Sequence, residues 1–171
     1  MPARSITIIT TGGTIEKTYD ETSGLLVNRG SILKEMLGGL RLEDTSVSIN
    51  ELLNKDSLFM TDEDRDRVVA AVRAAAADKQ ATGIVILHGT DTLCVTGDRL
   101  HAELPSPRIP IILTGAMRPY EMTRSDALQN LTEAIFASGT LAPGIYCVAH
   151  GRALKFPGVA KDKARGTFIR G

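Results

Sequence analysis

The 171-residue sequence predicts an α/β fold: a flavodoxin-like, doubly wound and mainly parallel sheet with helices on both faces, in a single domain over 1–171. Three observations carry this expectation. Short apolar runs alternate with longer amphipathic stretches, which is the signature of βαβ units. Two of those runs, Ile6-Thr7-Ile8-Ile9 and Ile84-Val85-Ile86-Leu87, read as buried strands, and each leads into a hydroxyl-rich turn. A chain of this length buries roughly 70% of its unfolded surface, enough for a core without staples.

The elements follow in order. The first strand covers Ile6 to Thr10. A glycine- and charge-containing segment from Glu16 to Gly30 comes next and is a candidate lid. A short helix fits Ser31 to Leu37, capped by Ser31 and stopped by Gly38-Gly39. The second strand covers Val47 to Leu52. Thr61 caps the next helix, with Asp62, Glu63 and Asp64 in its first turn opposing the helix dipole. Its alanine-rich body runs to Lys79.

The third strand is Ile84 to Leu87, and a helix from Thr92 to Glu103 stops before Pro105. The fourth strand is Ile111 to Leu113, followed by a helix over Ser125 to Ser138 and a fifth strand over Ile145 to Ala149. Gly151 to Gly171 reads as loop with one short strand. The expected strand order is 2-1-3-4-5 with right-handed crossovers. That order makes strands one and three neighbours whose outgoing helices lie on opposite faces, which opens a crevice at their C-terminal ends.

Composition narrows the function. Twenty basic and twenty acidic residues cancel, so nothing predicts nucleic acid or an anionic membrane as partner. Trp is absent and aromatics are few, which disfavours base stacking. Cys94 and Cys147 lack metal spacing and read as reduced and buried. His88, His101 and His150 show no zinc pattern. No run approaches the roughly 20 apolar residues of a membrane span, and the sequence carries no secretory h-region. The expectation is a cytoplasmic protein without a metal site.

The chemistry concentrates in the turns. Thr10-Thr11-Gly12-Gly13-Thr14-Ile15 follows the first strand, and its glycines let a ligand approach the backbone. Thr14 then offers a hydroxyl that needs a proton acceptor to become a nucleophile; the competing reading is a turn whose threonines cap their own backbone. His88-Gly89-Thr90-Asp91-Thr92 follows the third strand. Asp91 fits a helix N-cap or a binder of a substrate ammonium. Thr90 fits a proton relay, served by a lysine at Lys161 or Lys163. Arg118, in Gly115-Ala116-Met117-Arg118-Pro119, fits a carboxylate anchor or a tie between loops. Ser57, after the second strand, fits a substrate contact or an ordinary Asp-Ser turn.

Taken together, these motifs resemble the bacterial-type L-asparaginase family. Thr11-Gly12-Gly13-Thr14-Ile15 resembles its first signature and His88-Gly89-Thr90-Asp91-Thr92 its second. Gly115-Ala116-Met117-Arg118-Pro119 with Ser125-Asp126 resembles a third landmark. The resemblance runs through essentially the whole chain. It implies hydrolysis of L-asparagine to L-aspartate and ammonia without metal or cofactor. It assigns Thr14 as nucleophile, Thr90, Lys161 and Asp91 as its Thr-Lys-Asp set, Ser57 as binder of the α-carboxylate and Asp91 of the α-ammonium. Ala116 joins Ser57, Thr90 and Asp91 among the implied substrate contacts.

Three departures accompany it. The family's second, C-terminal domain is missing, which implies either a natural short-chain form or a fragment; the full set of motifs favours the short-chain form. The family's loop tyrosine falls on Leu25 or Leu26, leaving Tyr19 as substitute. Leu58 and Phe59 replace polar residues after Ser57, with asparagine still expected over glutamine. A homo-oligomer is expected, because small catalytic domains often complete sites from neighbours. Two rival readings are a non-catalytic amino-acid-binding module and an amidase subunit of a tRNA-dependent amidotransferase.

Overall fold

The computed structural model describes residues 3–171. Its central strands are β1 (Arg4–Gly12), β4 (Thr45–Lys55), β5 (Gly83–Leu87), β6 (Pro110–Thr114), β7 (Gly144–Ala149) and β8 (Arg152–Lys155). They form one six-stranded sheet in the order β4-β1-β5-β6-β7-β8. The first five pair in parallel and β8 pairs antiparallel to β7. This is the expected 2-1-3-4-5 order with one strand added at the edge. Every residue of β5, β6 and β7 is buried, which explains why their sequences are apolar without alternation.

Helices cover both faces. Val68, Val69 and Val72 of α2 (Asp62–Ala77), with Leu93 and Leu100 of α3 (Leu93–Glu103), pack with Ile9, Ile84, Ile86 and Ile111. Leu33 and Met36 of α1 (Leu33–Gly38), with Leu131 and Ile135 of α4 (Ala127–Ser138), pack on the other face with Ile6, Ile8, Val85 and Ile112. Each such fully buried aliphatic side chain contributes roughly 1.5–3 kcal/mol. The helix that leaves β1 therefore lies on one face and the helix that leaves β5 on the other. The crevice between β1 and β5 is the switch point where open α/β sheets hold their ligands.

Local chemistry moves several boundaries. The first helix begins at Leu33 rather than Ser31. The Ser31 hydroxyl accepts from Leu33 N at 3.2 Å while donating to Glu16, so Ser31 stands outside the helix it was expected to cap. The third helix begins at Leu93, with Thr92 rather than Asp91 at its N-cap. The fourth begins at Ala127, because the Ser125 hydroxyl accepts from Ala127 N at 3.0 Å. Thr61 caps α2 as expected and forms a complete capping box with Asp64.

Two segments that read as loop are ordered strands. Residues 18–27 fold as a hairpin of β2 (Thr18–Asp20) and β3 (Leu25–Val27). Asp20 closes its turn by accepting from Thr22 N, the Ser23 hydroxyl and Arg29. Beyond β8, β9 (Val159–Asp162) and β10 (Thr167–Arg170) form a second hairpin. Val159 and Phe168 anchor it in the core.

Candidate active site

The C-terminal end of β1 is shaped by an irregularity. Thr10 pairs with Glu51 but Gly12 pairs with Lys55, so the register with β4 shifts just before the first motif. The Thr11 hydroxyl donates to Leu87 O at 2.8 Å, tying this end of β1 to the end of β5. Gly13 adopts φ 78° and lies so close to Gly89 that a Cβ would strike the Gly89 backbone. Only glycine meets both demands at little cost. The first and second motifs therefore touch through their backbones. Thr14, half-buried, opens a single 3-10 turn over Thr14–Glu16. Asn28 Nδ2 donates to Gly13 O at 2.9 Å and supports that turn from outside.

The turn after β5 is held by a buried imidazole. His88 Nδ1 lies 2.8 Å from Gly89 O and Nε2 lies 2.7 Å from the Thr96 hydroxyl. Burial pushes its pKa down to about 4, so the ring is neutral at physiological pH. A neutral ring has one N–H: Nδ1 donates to Gly89 O, and Nε2 accepts from the Thr96 hydroxyl. His88 is thus a brace for the motif, with no ligand-binding capacity left over.

Ser57 adjoins the same turn. A Cβ on Gly89 would lie 2.5 Å from the Ser57 hydroxyl oxygen. Thr92 Oγ1 donates to Ser57 O at 2.9 Å and Thr92 N to Ser57 Oγ at 3.3 Å. Asp56, just before Ser57, pairs with Lys17 at 2.7 Å. The hydrogen bond from Lys17 holds the Asp56 carboxyl below its usual range.

The charged centre comes from β9. Lys161 Nζ donates to Thr90 Oγ1 and to Asp91 Oδ1, each at 2.7 Å. Thr90 is buried and the Lys161 side chain is 17% exposed, so the ammonium is shielded from bulk water on most sides. Asp91 is occupied by Lys161 rather than by a helix cap. Lys163 lies exposed in the turn beyond β9. The third landmark closes the cluster: a Cβ on Gly115 would lie 3.1 Å from Thr90 Cγ2. Ala116, near the start of this loop, is buried. Among the described residues no group of three His, Cys, Asp or Glu side chains could hold a metal.

Thr90, Asp91 and Lys161 are joined directly, and Ser57 and the Thr14 turn adjoin them through Gly89 and Gly13. Tyr19 is not part of this hydrogen-bonded set. It is 57% exposed on the β2–β3 hairpin, where its amide donates to Glu121 at 2.7 Å. Arg118 is exposed, and its backbone amide, not its side chain, is what binds, donating to Asp126 at 3.0 Å. Asp126 also accepts from Met117 N and from His150 Nε2 at 2.7 Å. Asn130 donates to Gly115 O at 2.9 Å. In the sequence His150 reads as isolated and Asn130 does not stand out, because their partners lie on separate elements. The spacing of Asp126 and Asn130 on one helical turn is the signal that could have found the second of them. Cys94 and Cys147 are free, and burial raises both thiol pKa values, Cys94 to about 11.

Comparison with known proteins places the chain in a family. Residues 5–167 match the family model described as Asparaginase, N-terminal. The chain is 37% identical over 141 residues to an L-asparaginase of Thermococcus kodakarensis, covering 81% of this chain and 42% of that protein. It is 33% identical over 138 residues to a glutamyl-tRNA(Gln) amidotransferase subunit of Thermoplasma acidophilum, covering 80% of this chain and 33% of that one. The solved structure of the thermostable L-asparaginase from Thermococcus kodakarensis superposes with a TM-score of 0.88 at 31% identity, over 97% of this chain and 51% of that one. A probable cytoplasmic L-asparaginase from Campylobacter jejuni superposes with a TM-score of 0.83 at 27% identity, over 98% of this chain and 51% of that one. The chain spans about half the length of these solved relatives, and the match runs through nearly all of it: it belongs to the asparaginase family.

Proposed function

We propose that this chain hydrolyses the side-chain amide of L-asparagine, releasing L-aspartate and ammonia. One observation carries the reading: Lys161 bridges Thr90 and Asp91 at 2.7 Å each, in a turn whose Gly89 backbone lies against Gly13, next in sequence to Thr14. A hydroxyl beside a shielded ammonium loses its proton more readily than in water. Thr90 is thereby suited to relay a proton.

In this scheme Thr14 Oγ attacks the amide carbon, and the carbonyl becomes an oxyanion held by backbone amides near Thr14 and Thr90. The hydroxyl proton passes to the amide nitrogen, the C–N bond breaks and ammonia leaves. Water then adds to the acyl-threonine, aspartate departs and the Thr14 hydroxyl is restored. Each oxyanion donor lowers the barrier by about 3 kcal/mol. The Asp91 oxygen not engaged by Lys161 receives the α-ammonium, and Ser57 the α-carboxylate. The Gly115-Ala116 backbone lies beside the amide. Fixing both charged ends turns binding energy into orientation. Glutamine, longer by one methylene, misplaces its amide and is a poor substrate.

Assembly into a homo-oligomer and residence in the cytoplasm belong to the same reading; no helix among the described residues is long and apolar enough to cross a membrane. The amidotransferase relatives favour a second reading, in which the same chemistry supplies ammonia to a partner enzyme. Ammonia release by the purified 171-residue chain tests both. Activity on asparagine alone, lost in Thr14→Val with circular dichroism unchanged, supports the first reading. Activity only with an added amidotransferase partner supports the second. Full activity in Thr14→Val removes Thr14 as nucleophile.

A further inference from the structure

Resting on the reading of Thr14 as nucleophile, we propose that Glu16 is the positioning residue of the Thr14 turn. Its buried carboxylate bridges the end of β1 to the entry of α1, and its charge sets how firmly the hydroxyl is aimed.

The geometry is specific. Glu16 ends the same 3-10 turn that Thr14 opens, and it is only 1% exposed. One carboxylate oxygen accepts from Gly12 N at 3.1 Å. The other accepts from the Ser31 hydroxyl. Gly12 and Glu16 thus close a ring around Gly13, Thr14 and Ile15, while Ser31 moors that ring to α1. A carboxylate so deeply buried without a cationic partner is costly. What a carboxylate adds is two directed acceptors on the turn that presents Thr14.

The same placement makes the clamp responsive to pH. Burial is the largest influence on Glu16 and raises its pKa to about 7. Hydrogen bonds from Ser31, Gly12 and the Ile32 backbone partly counter this, and Glu51 of β4 is the charged group that opposes ionisation. The ionised form accepts from both Gly12 and Ser31. The protonated form has one fewer acceptor site and holds Gly12 less tightly. Turnover on asparagine should therefore rise through neutral pH, with KM nearly constant.

The test is kcat and KM for asparagine from about pH 5 to 9, bracketing the Glu16 titration, in the wild type, Glu16→Gln, Glu16→Ala and Ser31→Ala. Glutamine at 16 accepts from Gly12 and donates to Ser31 at every pH. That is the pattern of the protonated acid, so kcat should stay near the wild type's low-pH value at every pH, without the neutral inflection. Alanine should lower kcat roughly tenfold or more with KM changed less than about twofold, as expected when a reacting group is misaimed. Ser31→Ala, which removes a bond to the charged form, should move the inflection to higher pH. An unchanged inflection in Glu16→Gln overturns the proposal, and so does wild-type kcat in Glu16→Ala. If Glu16→Ala fails to fold, the glutamine and Ser31 variants still decide. The amide resonances of Gly12 and Thr14 supply an independent readout. They should titrate near neutrality in the wild type and stay flat in Glu16→Gln; a flat wild type overturns the clamp. Absence of ammonia release at every pH defeats the amidohydrolase reading instead, while the resonances still judge the clamp.

Discussion

Two buried residues with opposed titrations govern the chain at the scale of single side chains. Glu16 has its pKa raised from 4.5 to about 7, chiefly by burial. Its contribution to stability is complete below about pH 4.5, declines as pH rises and levels off above 7. His88 has its pKa lowered from 6.5 to about 4, again chiefly by burial. Its contribution is complete above about pH 6.5 and declines as pH falls towards 4. Between roughly pH 4.5 and 6.5 the two slopes oppose each other. Glu16→Gln should remove one of them. Urea unfolding of that variant should then show stability rising from about pH 5 to 6.5 and exceeding the wild type at about pH 8. A further expectation concerns Lys161. Lys161→Met keeps the length of the side chain but removes the ammonium that joins Thr90 and Asp91. Turnover should fall by about 100-fold or more, in the range for loss of a proton-transfer group, with the melting temperature little changed.

At the scale of elements, caps and hairpins account for where sequence reading succeeded and where it stopped. The capping box of α2 is legible because all its parts lie within four consecutive residues, Thr61 to Asp64. Thr61→Ala should cost about 1 kcal/mol in urea unfolding. Ser31 shows the opposite case. Its hydroxyl is claimed by Glu16, fifteen residues earlier, and no local rule announces such a partner. The strands β5, β6 and β7 are legible because burial on both faces leaves nearly continuous apolar runs, and β1 because Ile6, Ile8 and Ile9 are buried in it. The β9–β10 hairpin is hidden because only Val159 and Phe168 are buried in it. The motif turns placed Thr14, Thr90, Asp91 and Ser57 on one edge of the sheet. The network of Asp126, Asn130 and His150 was not legible, since it forms only when α4 packs beside the end of β7.

At the scale of the molecule, one contact couples the far edge of the sheet to the centre. The Phe156 ring is buried against Gly97 of α3 so closely that a Cβ there would overlap the ring. Gly97→Ala would gain about 1 kcal/mol of helix propensity but must displace a rigid aromatic ring. Overpacking of this kind typically costs about 1–3 kcal/mol, so net destabilisation is expected in urea unfolding. Phe156 lies between β8 and β9, so its displacement shifts the strand that bears Lys161. Turnover should fall more than the loss of stability alone predicts.

Lys161 stands 71 positions after Thr90 in the chain, on the penultimate strand. A nascent or refolding polypeptide can therefore complete its sheet through β7 and still lack Lys161, the cation that meets the second motif. On the proposed reading, ammonia release in a refolding time course should begin only when the β9–β10 hairpin docks.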